Sequence, residues 1–156
     1  MPKVESLPKK ILVGLSFPND PFQEGVSVSK HDHLAIDQAL NYAGDQDAEV
    51  TFIHVLEDGA VPSGAHFEED YRQRINALMS EVIEEAVQKG VSVNCVVEKG
   101  VSWHTIIKVC QRDGHDMIIV GPRRDEEGFF ERFIYGSTTR NLLRNSSAPV
   151  WVAHTG

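Results

Sequence analysis

A short run near the C-terminal end, Gly136, Ser137 and Thr138, is the part of this sequence best suited to binding a ligand. Glycine lets a ligand approach the backbone closely, and a Gly-Ser pair at a helix start offers N–H donors, a hydroxyl and the positive end of the helix dipole. Phosphate is the group that such donors bind, and Gly121 is a second candidate for close backbone approach. The alternative interpretation is that both glycines only mark turns and that Ser137 is a helix N-cap.

The histidines and cysteines give weaker signals. His31 and His33 are two residues apart and would not share a helix face, and they lack further obvious ligands, so we predict no metal site. His54 is interpreted as a strand residue with a hydrogen-bonded ring, and Cys95 and Cys110 as small buried hydrophobic residues. The sequence contains no Gly-x-Ser-x-Gly elbow, Walker A loop or His-Glu-x-x-His motif, so we assign no catalytic residue and do not expect an enzyme.

Alternating strand and helix patterns must position these residues. Apolar and alternating runs predict five strands, at residues 11–15, 50–55, 91–97, 117–120 and 150–152. Apolar residues at helical spacing predict four intervening helices, which include residues 36–43, 71–86, 103–110 and 142–143. Ser102 is predicted to cap the third helix, and residues 57–66 and 121–135 are predicted to be loops.

This alternation predicts the α/β fold class: a single-domain doubly wound, mostly parallel five-stranded sheet that is Rossmann-like. In such a sheet, ligands bind at the carboxyl ends of the strands, near the switch point. The length of 156 residues fits one domain over residues 1–156, with its core at about residues 9–153.

Charge and hydropathy limit the partners. The chain has 15 basic and 23 acidic residues and a formal net charge of −8, which argues against nucleic-acid binding, because such proteins attract phosphates with a basic surface. Residues 1–10 are polar and lack a signal-peptide core, and no stretch is apolar enough to span a bilayer. We therefore expect a cytoplasmic protein with no membrane partner. Val150, Trp151 and Val152 form an apolar final strand, which favours self-pairing into a homodimer.

Three stretches in order resemble the universal stress protein family: residues 9–15, residues 48–55, and the set 116–121, 135–139 and 148–152. The resemblance covers about residues 9–153. It implies a Rossmann-like sheet of the adenine nucleotide alpha hydrolase-like type, dimers formed through the last strand, and stress-related roles. Some members bind ATP and others do not.

The resemblance also implies a binding site. ATP-binding members resemble one another in a Gly-x-x-Gly loop followed after nine residues by Gly-Ser or Gly-Thr, and Gly121, Gly136 and Ser137 match it. Arg124 replaces the second glycine, the span from Gly121 to Gly136 is two residues longer, and Ser16 replaces an aspartate that lies near the base and ribose. The implied contacts are Gly14, Leu15, Ser16, Val55, Gly121, Arg124, Gly136, Ser137 and Thr138, of which Val55 packs on adenine.

Three hypotheses follow. The first is a homodimeric regulatory module that holds ATP, AMP or a related nucleotide, with Mg²⁺ only if ATP is bound. The second is a dimeric interaction protein of the same fold without a nucleotide, which the changes at Ser16 and Arg124 favour. The third is a slow ATP hydrolase, which would need Mg²⁺ and a positioned water, and for which the sequence offers no set of residues.

Overall fold

Strands and helices alternate along the whole described chain. The computed structural model describes residues 7–17, 27–57, 65–122 and 136–154, and within them five strands alternate with four helices. The elements are β1 (Lys10–Gly14), α1 (Lys30–Gln46), β2 (Glu49–Leu56), α2 (Ala65–Gln88), β3 (Val93–Lys99), α3 (Ser102–Asp113), β4 (Met117–Val120), α4 (Ser137–Asn145) and β5 (Val150–Val152).

The strands form one parallel sheet in the order β3-β2-β1-β4-β5. The chain moves outward from β1 in one direction to β2 and β3, and then returns to the other side of β1 with β4 and β5. The switch point therefore lies between β1 and β4. This topology confirms the predicted doubly wound α/β fold.

Each face of the sheet is covered by two helices. Alternate β1 residues point to opposite faces, so that Ile11 and Val13 join the core under α1 and α2, whereas Leu12 joins the core under α3 and α4. All four residues of β4 are buried. Burial on both faces explains why the central strands are continuous apolar runs rather than alternating ones.

Several predicted element boundaries were wrong by one or two residues. β1 spans Lys10–Gly14 rather than 11–15, and β2 spans Glu49–Leu56 rather than 50–55. β3 begins at Val93 instead of residue 91, because Val91 lies in the preceding turn, where its N–H donates to the Ala86 carbonyl at 3.0 Å. α2 begins at Ala65, so the predicted loop 57–66 ends two residues too late. Ser102 is the first residue of α3 and not its cap, since Val101 occupies the N-cap position.

No helix in the described parts of the chain combines the length and the apolar character that crossing a bilayer requires.

Candidate functional site

A cleft of about 460 Å³ opens at the carboxyl ends of β1, β2 and β4, at the switch point of the sheet. Its volume lies within the usual range for small-molecule sites, roughly 300–1,000 Å³. The described residues that line it are Gly14, Leu15, Ser16, Phe17, Asp32, Ile53, Val55, Ser102, Ile106, Val120, Gly121, Pro122, Gly136, Ser137, Thr138 and Thr139.

Most of the predicted contact residues meet in this cleft. Its lining includes Gly14, Leu15, Ser16, Val55, Gly121, Gly136, Ser137 and Thr138. The ninth, Arg124, lies outside the described residues. The fold thus brings together positions that are more than 120 residues apart in sequence, such as Gly14 and Gly136. Ligand binding by these residues stays a prediction.

One wall of the cleft is apolar. Ile53, Val55, Ile106 and Val120 line it from the strands and from α3. Gly14 lies among them, and a Cβ at this position would come within 3.2 Å of both Ile106 Cδ1 and Val120 Cγ1. A side chain at residue 14 would therefore collide with the side chains of this wall. With glycine there, the apolar wall is suited to packing against the face of an aromatic ring.

The N-terminus of α4 also lines the cleft, through Gly136 and the first residues of the helix. Gly136 is the N-cap, with φ −63° and ψ 165°, and within the described parts of the chain no side chain caps this helix. The predicted N-cap role of Ser137 is thus wrong by one position, because Ser137 is already helical. A first turn without a side-chain acceptor presents its N–H groups to whatever occupies the cleft, and the helix dipole favours an anion there.

The N-terminus of α3 differs from that of α4, although Ser102 lines the same cleft. The Glu57 carboxylate accepts a hydrogen bond from the Ser102 N–H at 3.0 Å. The α3 terminus therefore already has a carboxylate beside it, and an anionic group of a ligand is favoured at α4 instead.

Asp32, in the first turn of α1, fixes the loop that follows β1. Its side chain is only 2% exposed and accepts hydrogen bonds from the Ser16 N–H at 3.0 Å, the Ser16 hydroxyl at 3.3 Å and the Phe17 N–H at 2.7 Å. Phe17 has φ +54°, a left-handed conformation that is strained for a bulky residue. The carboxylate thus stabilises a conformation that the Ser16–Phe17 segment would not favour alone.

Asp32 was missed by the sequence reasoning. A signal for its helix position exists, because Ser29 lies three residues earlier and its hydroxyl accepts from the Asp32 N–H at 3.2 Å, as an N-cap does. Its proximity to Ser16 depends on how α1 packs against β1, which no local pattern shows. Asp32 is the one ionisable side chain among the described residues that line the cleft.

His54 supports the floor of the site from β2. Its ring is buried, Nδ1 lies 2.8 Å from the Leu15 carbonyl oxygen, and the ring centroid is 5.1 Å from that of Phe17. Burial lowers the pKa of His54, although the Leu15 carbonyl and the charges of Asp32 and Glu57 oppose the change. A neutral ring that donates to Leu15 fits this setting and confirms the predicted hydrogen-bonded strand histidine.

Gly121 has a packing role at the end of β4. A Cβ at this position would lie 2.5 Å from the backbone oxygen of His31 in α1. Its φ lies outside the left-handed region, so the requirement is for space and not for an unusual backbone conformation. The absence of a side chain at Gly121 therefore allows α1 to approach the switch point.

Comparisons with known proteins agree on one family. The profile described as "Universal stress protein family" matches residues 25–154. Universal stress protein YxiE from Bacillus subtilis is 25% identical over 131 residues, which cover 76% of this chain and 87% of that protein.

Solved structures show the same fold. A universal stress protein family protein from Arabidopsis thaliana with AMP bound has a TM-score of 0.69 at 17% identity, over 96% of this chain and 93% of that chain. The universal stress protein from Archaeoglobus fulgidus in complex with dAMP has a TM-score of 0.68 at 15% identity, over 94% of this chain and 98% of that chain.

Proposed function

The chain belongs to the universal stress protein family, and we propose that it is a regulatory module that binds an adenine nucleotide, AMP or ATP, in the cleft. One observation carries this proposal: the first turn of α4, which has no side-chain cap, and the apolar ends of the strands line the same cavity. A nucleotide needs both, because its base is flat and apolar on its faces and its phosphate is an anion. The AMP and dAMP complexes of the relatives support the same ligand class.

The polarity of the cleft suggests how the nucleotide is oriented. The phosphate is assigned to the N–H groups at Gly136, Ser137 and Thr138, and the base to the wall that includes Val55. Ser16 lies on the sheet side of the cleft and offers one hydroxyl to the sugar. We expect weaker binding than in relatives with the complete motif, since Ser16 provides fewer acceptors than a carboxylate.

Binding, rather than hydrolysis, is the activity proposed. Asp32 is the sole carboxylate among the described lining residues, and its two oxygens already accept three protein donors. It is therefore poorly suited to accept a proton from an attacking water. Mg²⁺ would accompany ATP through the phosphate oxygens, whereas AMP would bind without it.

The proposal is tested at Ser137 with two variants. Proline is favoured at the first position of a helix, and Gly136 already has the extended conformation that proline requires of its predecessor, so Ser137→Pro removes one N–H donor without breaking α4. Ser137→Ala removes the hydroxyl and keeps the N–H. A lost charge-assisted hydrogen bond costs about 1.5–3 kcal/mol, so calorimetry with AMP should give roughly 10- to 100-fold weaker binding for Ser137→Pro.

Ser102→Ala is the matched control, because Ser102 is the first residue of α3 and lines the same cleft. We expect it to change AMP affinity by less than about threefold. The proposal fails if the wild-type chain does not bind AMP or ATP at millimolar concentration, or if Ser137→Pro binds AMP as tightly as the wild type.

A second proposal concerns self-association through β5. Val150–Val152 (β5) is one of the two edge strands of the described sheet. Trp151 on it is 36% exposed, with its ring edge-on to that of Tyr42 at a centroid distance of 6.2 Å. An apolar edge strand is a natural pairing surface. We propose a homodimer through this edge, which Trp151→Lys should convert to a monomer in sedimentation experiments; a wild-type chain that is monomeric at micromolar concentration would contradict the proposal.

A further inference from the structure

Three potential metal ligands converge between α1 and α2, on the sheet face that these helices cover. His33 and Asp37 are four residues apart on α1 and so share one helix face, and Glu85 reaches them from α2. Their ligand atoms all lie within 4.8 Å of one another, and His33 Nδ1 is 3.8 Å from Glu85 Oε2. The cluster combines one imidazole with two carboxylates from two elements that are far apart in sequence.

We propose that His33, Asp37 and Glu85 bind a divalent transition-metal ion, for which Zn²⁺ is the probe. Imidazole together with carboxylate is a donor set that suits Zn²⁺, whereas Mg²⁺ prefers oxygen ligands alone and retains its water. Ligands at about 2.0–2.1 Å from a tetrahedral Zn²⁺ lie roughly 3.3 Å apart. The His33–Glu85 separation of 3.8 Å must therefore shrink by about half an ångström, and the other separations, which are within 4.8 Å, by up to about 1.5 Å. Water would complete the fourth position, as it does in open three-ligand sites.

The side chains have room for this movement. The His33 and Glu85 side chains are 45% and 30% exposed, and that of Asp37 is 49% exposed. Partial exposure also provides a path for the ion. It limits the expected affinity to the micromolar range, since the three ligands are only partly preorganised.

Lys89 is the natural competitor of the ion. Its Nζ lies 3.8 Å from Asp37 Oδ1, so the Lys89 charge already offsets part of the negative charge of the cluster. Exposed ion pairs of this kind contribute little to stability, so a divalent ion displaces Lys89 at low cost. Removing the Lys89 charge should therefore strengthen metal binding, an effect that a merely structural surface cluster would not show.

The site is separate from the cleft, and the sequence alone did not indicate it. His31, the only partner for His33 that the sequence analysis considered, is not part of the cluster. Glu85 is 52 residues from His33 and becomes a neighbour only because α1 and α2 cover the same face of the sheet.

The test uses the full chain, freed of metal by a chelator that is then removed, with Zn²⁺ and Mg²⁺ titrated separately by calorimetry. We expect one Zn²⁺ per chain with micromolar affinity and no binding of Mg²⁺ in that range. His33→Ala and Glu85→Gln should each weaken Zn²⁺ binding at least about 10-fold, and Lys89→Gln should strengthen it severalfold. His104→Ala, an exposed histidine on α3, should leave Zn²⁺ affinity unchanged.

Thermal unfolding gives a second measurement. Because an ion that binds only the folded state stabilises it, Zn²⁺ should raise the Tm of the wild type and of His104→Ala but not that of His33→Ala. The metal-free Tm of all variants should be close to that of the wild type, since the substituted side chains are partly exposed. The proposal is overturned if Zn²⁺ does not bind, if its affinity survives His33→Ala or Glu85→Gln, or if Lys89→Gln weakens binding.

Discussion

The carboxylate of Asp32 should be among the most sensitive single groups near the cleft, and Asp32→Asn isolates its role. Oδ1 accepts from the Ser16 N–H at 3.0 Å and Oδ2 accepts from the buried Phe17 N–H at 2.7 Å. Asparagine has only one oxygen, so in either orientation one of these two N–H groups faces an amide donor. Because the shape of the side chain is retained, the effect reports hydrogen bonding and charge rather than packing.

The expected cost is the loss of about one charge-assisted hydrogen bond, which amounts to about 1.5–3 kcal/mol. For a chain of 156 residues this corresponds to a decrease in Tm of roughly 3–12 °C. Urea denaturation at pH 7.5, followed by circular dichroism, measures the free energy of unfolding directly. Ser16→Ala removes only the 3.3 Å hydroxyl contact and should cost less than about 1 kcal/mol.

Asp45→Asn is the matched control, because it removes the same charge from an exposed position on the same helix. It should change the free energy of unfolding by no more than about 0.5 kcal/mol. If Asp32→Asn is equally mild, the carboxylate does not hold the loop after β1, and the account of that loop given above is wrong.

Three further predictions concern the core. In the same denaturation assay, Gly121→Ala should destabilise the chain by about 1–3 kcal/mol, because the new Cβ would contact the His31 carbonyl. Gly44→Ala should instead stabilise it by about 0.5–1 kcal/mol, because a Cβ at this helical position would meet no atom within 4 Å. Burial lowers the pKa of His54 and of His115, so the folded state favours the neutral form of both rings. Their contribution to the free energy of unfolding is therefore fully present above the unfolded pKa of about 6.5. It is lost as the pH drops below that value, by up to about 1.4 kcal/mol per pH unit for each histidine. Neither ring nitrogen of His115 has a hydrogen-bond partner among the described residues, so His115→Phe should reduce this slope without loss of stability at pH 7.5; an unchanged slope would contradict the reasoning. Burial raises the pKa of Cys95 to about 11, so its alkylation at pH 8 should be roughly 200-fold slower in the folded chain than in urea, and equal rates would refute this.

His115 illustrates a conflict between burial and hydrogen bonding. Burial is the main cause that lowers its pKa, and the Lys10 charge acts in the same direction. The Val109 carbonyl opposes this change, but neither ring nitrogen meets hydrogen-bond geometry with it. Local sequence does not predict this burial, since a histidine just after a helix that ends at a glycine is ordinarily solvated.

The sheet could be predicted from local sequence because its signals are local. β4 was predicted at its observed bounds, since continuous apolar runs occur where both faces of a strand are buried. β5 was also predicted at its observed bounds from its apolar run, although Trp151 on this edge strand is exposed. Helix starts were less certain, as Ser102 and Ser137 show: each is the first helical residue, whereas the sequence suggested a cap. A serine marks a helix start only to within a residue or two, and the backbone dihedral angles are needed to identify the N-cap residue.

The site could be predicted only where it resembles a known pattern. Gly136 and Ser137 follow the family's order and lie on the cleft, but Asp32 and Glu57 do not belong to that pattern. Their roles depend on contacts across 16 and 45 residues of sequence. Such contacts arise from the parallel topology, which brings the carboxyl ends of the strands and the N-termini of the helices to one edge.

The N-termini of α1, α3 and α4 at this edge are not equivalent, and the difference determines where an anion is most stable. In α1 the Ser29 hydroxyl accepts from a first-turn N–H, and in α3 the Glu57 carboxylate accepts from the Ser102 N–H. At α4 the N-cap is Gly136, which has no side chain to accept, so the positive end of the helix dipole at this terminus is not offset by its own N-cap residue. Since α3 and α4 line the same cleft, the negative charge of Glu57 also repels a phosphate from the α3 side. One helix end favours an anion while the other already has one, so the nucleotide proposed for this cleft should bind in a single direction, with its phosphate toward Gly136.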